Sequence, residues 1–290
     1  MKRTYLTGAM ILAMMIWGGS WVTGKLVADL ASPDIIIFTR FAVSFAAFLP
    51  FLPWIAPHLR MSMHSLAMTA LCAAVLVIYN QFFFLGLRQG FAGSGSVIVT
   101  TLSPIFTFAL AAGLFRKEIS KFQGAGLLLG LASGIFLIAP WKLHPTSFAS
   151  SAVLLFAAAA LIWAVLTILS QRVQRSATAI GYSFYLFLFT ALIQLPFCPR
   201  AEILSLPSQS ASFWLNILFL GALASTFSNT VYFLSSRKIG ASRASSFMFV
   251  VPLCALVFSA IILGERPSAA TLAGGCSAIL AVWLINRSQK

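Results

Sequence analysis

The residues that could carry acid–base, nucleophilic or metal chemistry are few and scattered in this chain. Its five carboxylates and three histidines all fall in segments that we interpret as loops or helix ends: Asp29, Asp34, Glu118, Glu202, Glu265, His58, His64 and His144. The four cysteines show no CxxC spacing, and no serine or cysteine has a base at helical spacing. The pattern argues against an enzyme, and we expect neither a cofactor nor a bound metal.

Aromatic and hydroxyl side chains are instead found inside the apolar segments. Trp17, Ser20 and Trp21 share one face of a helix at about 100° per residue. Trp17 follows the basic N-terminus by more than ten residues, which places it too deep for an interfacial aromatic belt. Packing on the adjacent Gly18 and Gly19 is the alternative, and we favour a cavity wall.

Further candidates occupy four other apolar segments. Asparagine in hydrocarbon needs a partner, which is either another helix or a solute in a cavity, and the sequence leaves both open. Tyr79 and Phe83 are one turn apart, as are Ser228 and Tyr232. The predicted substrate-binding set is Trp17, Ser20, Trp21, Tyr79, Asn80, Phe83, Thr100, Ser103, Trp163, Ser228, Asn229 and Tyr232.

Prolines and glycines mark positions where the backbone could bend. Pro104 and Pro252 lie within apolar segments, where a proline frees a carbonyl one turn earlier; the alternative is a simple packing kink. Glycine absorbs backbone changes cheaply, but tight packing would also explain it. The predicted hinge or kink residues are Gly18, Gly19, Gly90, Pro104, Gly240 and Pro252.

The elements that must position these residues are membrane-spanning helices. The 290 residues are 60% hydrophobic and 8% charged, and the mean hydropathy is +0.97. Apolar blocks of about 17–25 residues suit a hydrocarbon core of roughly 30 Å. We predict an all-α membrane protein with ten transmembrane helices, near residues 6–25, 34–53, 65–87, 95–115, 122–140, 151–171, 179–198, 212–235, 243–263 and 269–286.

The net charge of +14 is interpreted as a topology signal, and no nucleic-acid partner is expected, because the basic residues lie singly or in pairs between the blocks. With a cytoplasmic N-terminus, thirteen lie inside: Lys2, Arg3, Arg60, Arg116, Lys117, Lys121, Arg172, Arg175, Arg237, Lys238, Arg243, Arg287 and Lys290. Six lie outside: Lys25, Arg40, Arg88, Lys142, Arg200 and Arg266. This bias predicts that both termini are cytoplasmic.

The two halves of the chain, 1–145 and 146–290, resemble each other in sequence. Trp17 corresponds to Trp163, and Pro104 corresponds to Pro252. Each half would cross the bilayer five times, which is an odd number. The second half must therefore enter the bilayer from the side opposite to the first. The sequence therefore predicts two inverted five-helix repeats, the arrangement that alternating access uses.

These features resemble the EamA-type families of the drug/metabolite transporter superfamily, and most closely the YddG-type exporters of aromatic amino acids. The resemblance is carried by Trp17 to Trp21 with Lys25, by Pro104 with Glu118, and by Pro252 with Gly264 and Glu265. It covers nearly the whole chain. It implies a ten-helix fold around a cavity lined by helices 1, 3, 4, 6, 8 and 9, and export across a bacterial inner membrane.

We therefore expect a monomeric exporter of small neutral or zwitterionic metabolites, including aromatic amino acids, whose partners are its solute and the lipid bilayer. Organic cations or other metabolites are alternatives, since aromatic faces also bind cations. A scaffold without transport is a further alternative. Sugar nucleotides are disfavoured, because no buried pair of basic residues is evident for their phosphates.

Overall fold

A computed structural model describes residues 3–90, 92–115, 120–138, 151–263, 277, 280, 281 and 283–285. All regular elements in these ranges are helical, so the all-α class is confirmed for this part of the chain. The α-helices are α1 Arg3–Ala28, α2 Pro33–Ala46, α3 Leu52–Ile55, α4 Met63–Gln89, α5 Ala92–Phe115, α6 Lys121–Ile138, α7 Ser151–Val173, α8 Ala179–Gln194, α9 Arg200–Ser205, α10 Ala211–Leu218, α11 Thr230–Ile239, α12 Ala241–Ser246 and α13 Val251–Leu263.

Seven helical stretches of the described residues are long and apolar enough to cross a membrane: Tyr5–Ala28, Pro33–Leu59, Met63–Gln89, Gly95–Gly113, Ala152–Val173, Ala179–Phe197 and Ala211–Ile239. Each overlaps one of the ten predicted spans. The predicted fifth span overlaps α6, and the ninth overlaps the shorter apolar helix Ala241–Ala255. Most of the tenth lies outside the described residues, as do Glu118, Gly264 and Glu265. The protein is a multi-pass membrane protein, while the count of ten and the inversion stay predictions.

The packing joins the two halves of the chain. Helices α4 and α5 pack on α7, α2 packs on α8, and α1 packs on α13. The α1–α13 contact is close at Gly18, where a Cβ atom would lie 2.5 Å from the Cβ atom of Cys254 and 2.9 Å from the backbone nitrogen of Ala255. Glycine at this position therefore permits two helix backbones to approach, which favours the packing interpretation of Gly18.

Helix α2 begins with a strong set of local signals. The Ser32 side chain caps the helix by accepting from the Ile35 N–H, and Pro33 occupies the first turn, where its missing N–H costs least. Asp34 follows and accepts hydrogen bonds from the side-chain amides of Gln81 in α4 at 2.6 Å and Gln194 in α8 at 2.7 Å. One carboxylate thus ties three helices together where α2 begins.

A π-helix, Phe219–Asn229, connects α10 to α11. Its hydroxyls bond carbonyls five residues earlier, as Ser225 does to Leu220 at 2.9 Å and Ser228 to Leu223 at 3.0 Å. A Cβ atom on Gly221 would lie 2.9 Å from the Arg40 carbonyl oxygen. π-helical turns are rare in proteins, and those that are found often lie at functional sites. The sequence analysis predicts a helix near residues 212–235, but not that part of it is π-helical.

The predicted hinge or kink residues occupy different positions in their helices. Pro104 lies inside α5, as expected. Pro252 is in the first turn of α13, after a 3-10 segment, Phe247–Val250, so the irregular turn precedes this proline. Gly90 ends α4 with extended backbone, and its added Cβ would lie 2.9 Å from the Ala152 Cβ atom. Close packing therefore suffices to explain Gly90, and its role as a hinge stays a prediction.

Gly240 joins α11 to α12 at φ +92° and ψ 149°, a region that residues with a Cβ atom avoid. No atom lies within 4 Å of an added Cβ among the described residues, so the requirement is conformational. We expect Gly240→Ala to lower the free energy of unfolding by about 1–3 kcal/mol. Thermal unfolding in detergent measures this. Gly113→Ala in α5, where an added Cβ also meets nothing, is the control and should not destabilise; equal midpoints for the two variants would contradict the assignment.

Candidate functional site

A cavity lies between helices from both halves of the chain. It contains about 490 Å³ of space free of protein atoms, part of it open to solvent. Its walls come from α1, α2, α4, α5, α7, the π-helix, the 3-10 segment and α13: Trp17, Ser20, Trp21, Arg40, Phe41, Leu76, Tyr79, Asn80, Phe83, Val99, Thr100, Trp163, Asn229, Met248 and Val251. The described residues therefore form a cavity between the two halves of the chain, and its use as a solute site stays a prediction.

Aromatic rings form much of the cavity wall and contact one another. The ring centroids of Trp17 and Trp163 are 5.3 Å apart, almost perpendicular at 85°. Tyr79 stands 4.9 Å from Trp163, and Trp21 stands 4.7 Å from Phe83. Such pairs contribute about 0.5–1.5 kcal/mol beyond their buried area. The two tryptophans matched between the halves thus meet directly.

The polar groups of the cavity are mostly held in place by other protein groups. The Trp17 Nε1–H donates to the Ala224 carbonyl at 3.0 Å and to Asn229 Oδ1 at 3.2 Å. The Asn80 side-chain amide donates to the Leu76 carbonyl at 2.8 Å, within its own helix. Both asparagines thus make intramolecular bonds and also line the cavity, and a bond from either to a solute stays a prediction.

Nine of the twelve predicted substrate-binding residues line this cavity: Trp17, Ser20, Trp21, Tyr79, Asn80, Phe83, Thr100, Trp163 and Asn229. Tyr232 lies behind them, with its ring 5.2 Å from Trp17 and its hydroxyl 3.0 Å from Thr167 Oγ1. Ser103 donates to the Ala160 carbonyl at 3.4 Å, and Ser228 bonds within the π-helix. These last three are not among the residues that line the cavity, and binding of substrate by all twelve stays a prediction.

Arg40 is the residue that the sequence analysis placed wrongly. The charge pattern places it among the basic residues outside the membrane, but it lies within α2, is 7% exposed and lines the cavity. Its Nε–H donates to Ser225 Oγ at 2.9 Å, and its Nη1 donates to Asn80 Oδ1 at 3.2 Å. A lone arginine within a predicted span was the available signal, since ionisable residues inside membranes usually mark functional sites.

Apolar helices that cross the bilayer, with an aromatic and polar cavity between them, define a multi-pass membrane transporter. The particular family follows from sequence comparison: the profile of the EamA-like transporter family matches residues 6–139 and again residues 150–287. The chain belongs to this family. The prediction of a transporter rather than an enzyme is confirmed by this membership.

Individual relatives are distant but cover the full length. An uncharacterized transporter of Archaeoglobus fulgidus is 23% identical, over 99% of each chain. A probable terminal-alkyne amino-acid exporter of Streptantibioticus cattleyicolor is 25% identical, over 99% of this chain and 95% of that protein. A solved crystal structure superposes over 100% of both chains with a TM-score of 0.75 at 18% identity, which shows a shared fold.

Proposed function

We propose that the protein exports small neutral or zwitterionic metabolites, in particular amino acids including aromatic ones, across a bacterial inner membrane. The observation that carries this proposal is the cavity itself, where tryptophan and tyrosine faces stand beside amide and hydroxyl groups. Aromatic walls bind apolar side chains, and fixed polar groups orient the remainder of a small solute. The similarity to a probable amino-acid exporter, and the resemblance to YddG-type exporters, support the same substrate class.

Transport would proceed by alternating access between two inverted repeats, 1–145 and 146–290. Two separate matches of one family profile support a repeated organisation. The cavity draws residues from both halves, which suits a binding site between two moving units. In this proposal the protein is a monomer with both termini in the cytoplasm, and no carboxylate at the membrane midplane couples transport to protons.

The proposal is tested by counterflow of radiolabelled L-phenylalanine in proteoliposomes, with and without a pH gradient. The protein should carry the label without the gradient. We expect Trp17→Ala to reduce the initial rate of counterflow at least about tenfold. The change removes from the cavity wall an indole that makes two ring contacts and donates two hydrogen bonds.

The matched control is Trp54→Ala, since Trp54 is 72% exposed on α3 and outside the cavity. Both variants should remain monodisperse in detergent, so that the rates compare folded proteins. Equal rates for Trp17→Ala, Trp54→Ala and the unmodified protein would contradict a substrate site at Trp17. Absence of counterflow for every amino acid offered would contradict the proposed substrate class.

A further inference from the structure

Arg40 carries the only positive charge among the described residues of the cavity wall. It is placed in the middle of α2, and only 7% of its surface is exposed. Burial of a guanidinium within a membrane is costly, so such residues pair with other groups or serve a pathway. The groups that contact Arg40 therefore indicate whether it is paired within the protein or serves a pathway.

Within the described part of the chain, all partners of Arg40 are uncharged. Its Nε and Nη1 groups donate to Ser225 Oγ and Asn80 Oδ1, its guanidinium lies 5.5 Å from the Phe41 ring centroid, and no hydrogen bond engages Nη2. Hydroxyl and amide oxygens hold the guanidinium in place without neutralising it. Among the described residues, no negative charge therefore compensates this positive charge at the cavity wall.

The three carboxylates that the structure describes are occupied elsewhere. Asp34 accepts from two glutamine amides, Glu202 accepts from the Ser32 N–H at 3.1 Å, and Asp29 lies 4.0 Å from Lys25. No described side chain therefore supplies a counter-charge to Arg40.

A purely structural role for Arg40 is the competing explanation, because its two hydrogen bonds join α2 to α4 and to the π-helix. A neutral donor such as glutamine could make such a bridge without the desolvation of a charge. Arginine adds a planar fork of N–H donors that matches a carboxylate. A structural role does not explain the positive charge of Arg40, nor why its Nη2 group makes no hydrogen bond to the described residues.

We propose that Arg40 binds the carboxylate of the transported solute, an inference that rests on the proposed transport function and narrows its substrate class. The solute carries a carboxylate next to an apolar or aromatic group, and that group lies against the rings of Trp21 and Phe83. Amino acids and simple aryl carboxylates meet this description. Organic cations without a carboxylate do not, because Arg40 repels them.

The test compares three competitors of labelled L-phenylalanine in counterflow: unlabelled L-phenylalanine, 3-phenylpropionate, which lacks the amine, and phenethylamine, which lacks the carboxylate. In the unmodified protein the first two should inhibit and phenethylamine should not. Arg40→Gln should weaken inhibition by both carboxylates about 10- to 100-fold, the equivalent of one lost charge-assisted bond. Arg40→Lys, which keeps the charge, should retain part of the affinity.

Arg60→Gln is the matched control, because Arg60 is exposed between α3 and α4; it should leave inhibition by both carboxylates unchanged. So that the test does not depend on the folding of Arg40→Gln, the three competitors are also ranked on the unmodified protein by ligand-induced thermal shift. Unchanged inhibition by both carboxylates in folded Arg40→Gln, or binding of phenethylamine to the unmodified protein as tight as that of the carboxylates, would overturn the role of Arg40. Counterflow of a different solute with no effect of any carboxylate would overturn it and leave transport standing, whereas absence of all counterflow would contradict the transport function itself.

Discussion

Replacement of Gly18 by leucine should prevent α1 from packing against α13 and leave little folded protein. Even the Cβ atom of alanine would lie 2.5 Å from the Cys254 Cβ atom and 2.9 Å from the Ala255 backbone nitrogen. Because backbone is involved, no side-chain rotation relieves the overlap, and one helix must move. Overpacking costs about 1–3 kcal/mol in ordinary cores, and we expect Gly18→Leu to reach or exceed the top of this range. Size-exclusion profiles and thermal midpoints in detergent measure it.

The same helix offers a matched control for this prediction. Gly8 is exposed on α1, and nothing lies within 4 Å of an added Cβ among the described residues, so Gly8→Leu should fold as the unmodified protein does. The milder Gly18→Ala should be partly rescued by Cys254→Gly, which removes one of the overlapping atoms. Normal yield and midpoint for Gly18→Leu would show that α1 and α13 are not in this contact.

Loss of the Asp34 carboxylate should have the second large effect. Asp34→Ala leaves the side-chain amide of fully buried Gln194 without its acceptor and leaves that of Gln81 only a 3.4 Å bond to Gln194 Oε1. Hydrogen bonds to a charged group contribute about 1.5–3 kcal/mol each. We therefore expect a loss of about 3 kcal/mol in the free energy of unfolding, and a thermal midpoint lower by roughly 6–10 °C.

Asp29→Ala provides the comparison, because it removes a nearby carboxylate without such partners. Its side chain is 66% exposed, and its contact with Lys25 is 4.0 Å long. Exposed pairs of this kind contribute about 0–1 kcal/mol. Asp34→Asn, which keeps one oxygen acceptor, should fall between the two alanine variants. Equal midpoints for Asp29→Ala and Asp34→Ala would show that Asp34 does not join α2 to α4 and α8.

The part of the site that could be predicted from sequence is the part that depends on helical periodicity. The spacing of Trp17, Ser20 and Trp21 placed all three on one face, and all three line the cavity. The length of apolar blocks likewise identified the seven spans that the described residues contain. Both inferences need only the local geometry of one helix, which the sequence determines directly.

The part that could not be predicted depends on contacts between distant segments. Arg40 reaches Asn80 and Ser225, which are 40 and 185 residues away in sequence. The mean hydropathy of an apolar block does not indicate how deeply one of its residues is buried. The π-helix is similar, because Thr226 donates to the Ser44 carbonyl at 2.8 Å while Ser44 donates to Gly221 at 3.1 Å. Tertiary bonds of this kind override what a local pattern indicates.

The contact between Trp17 and Trp163 also bears on leakage of ions and protons. The two indole rings touch, so a continuous chain of water molecules cannot pass between them. If the proposed site lies at this contact, the protein without solute should conduct neither ions nor protons, and the barrier would come from the same rings that bind the solute.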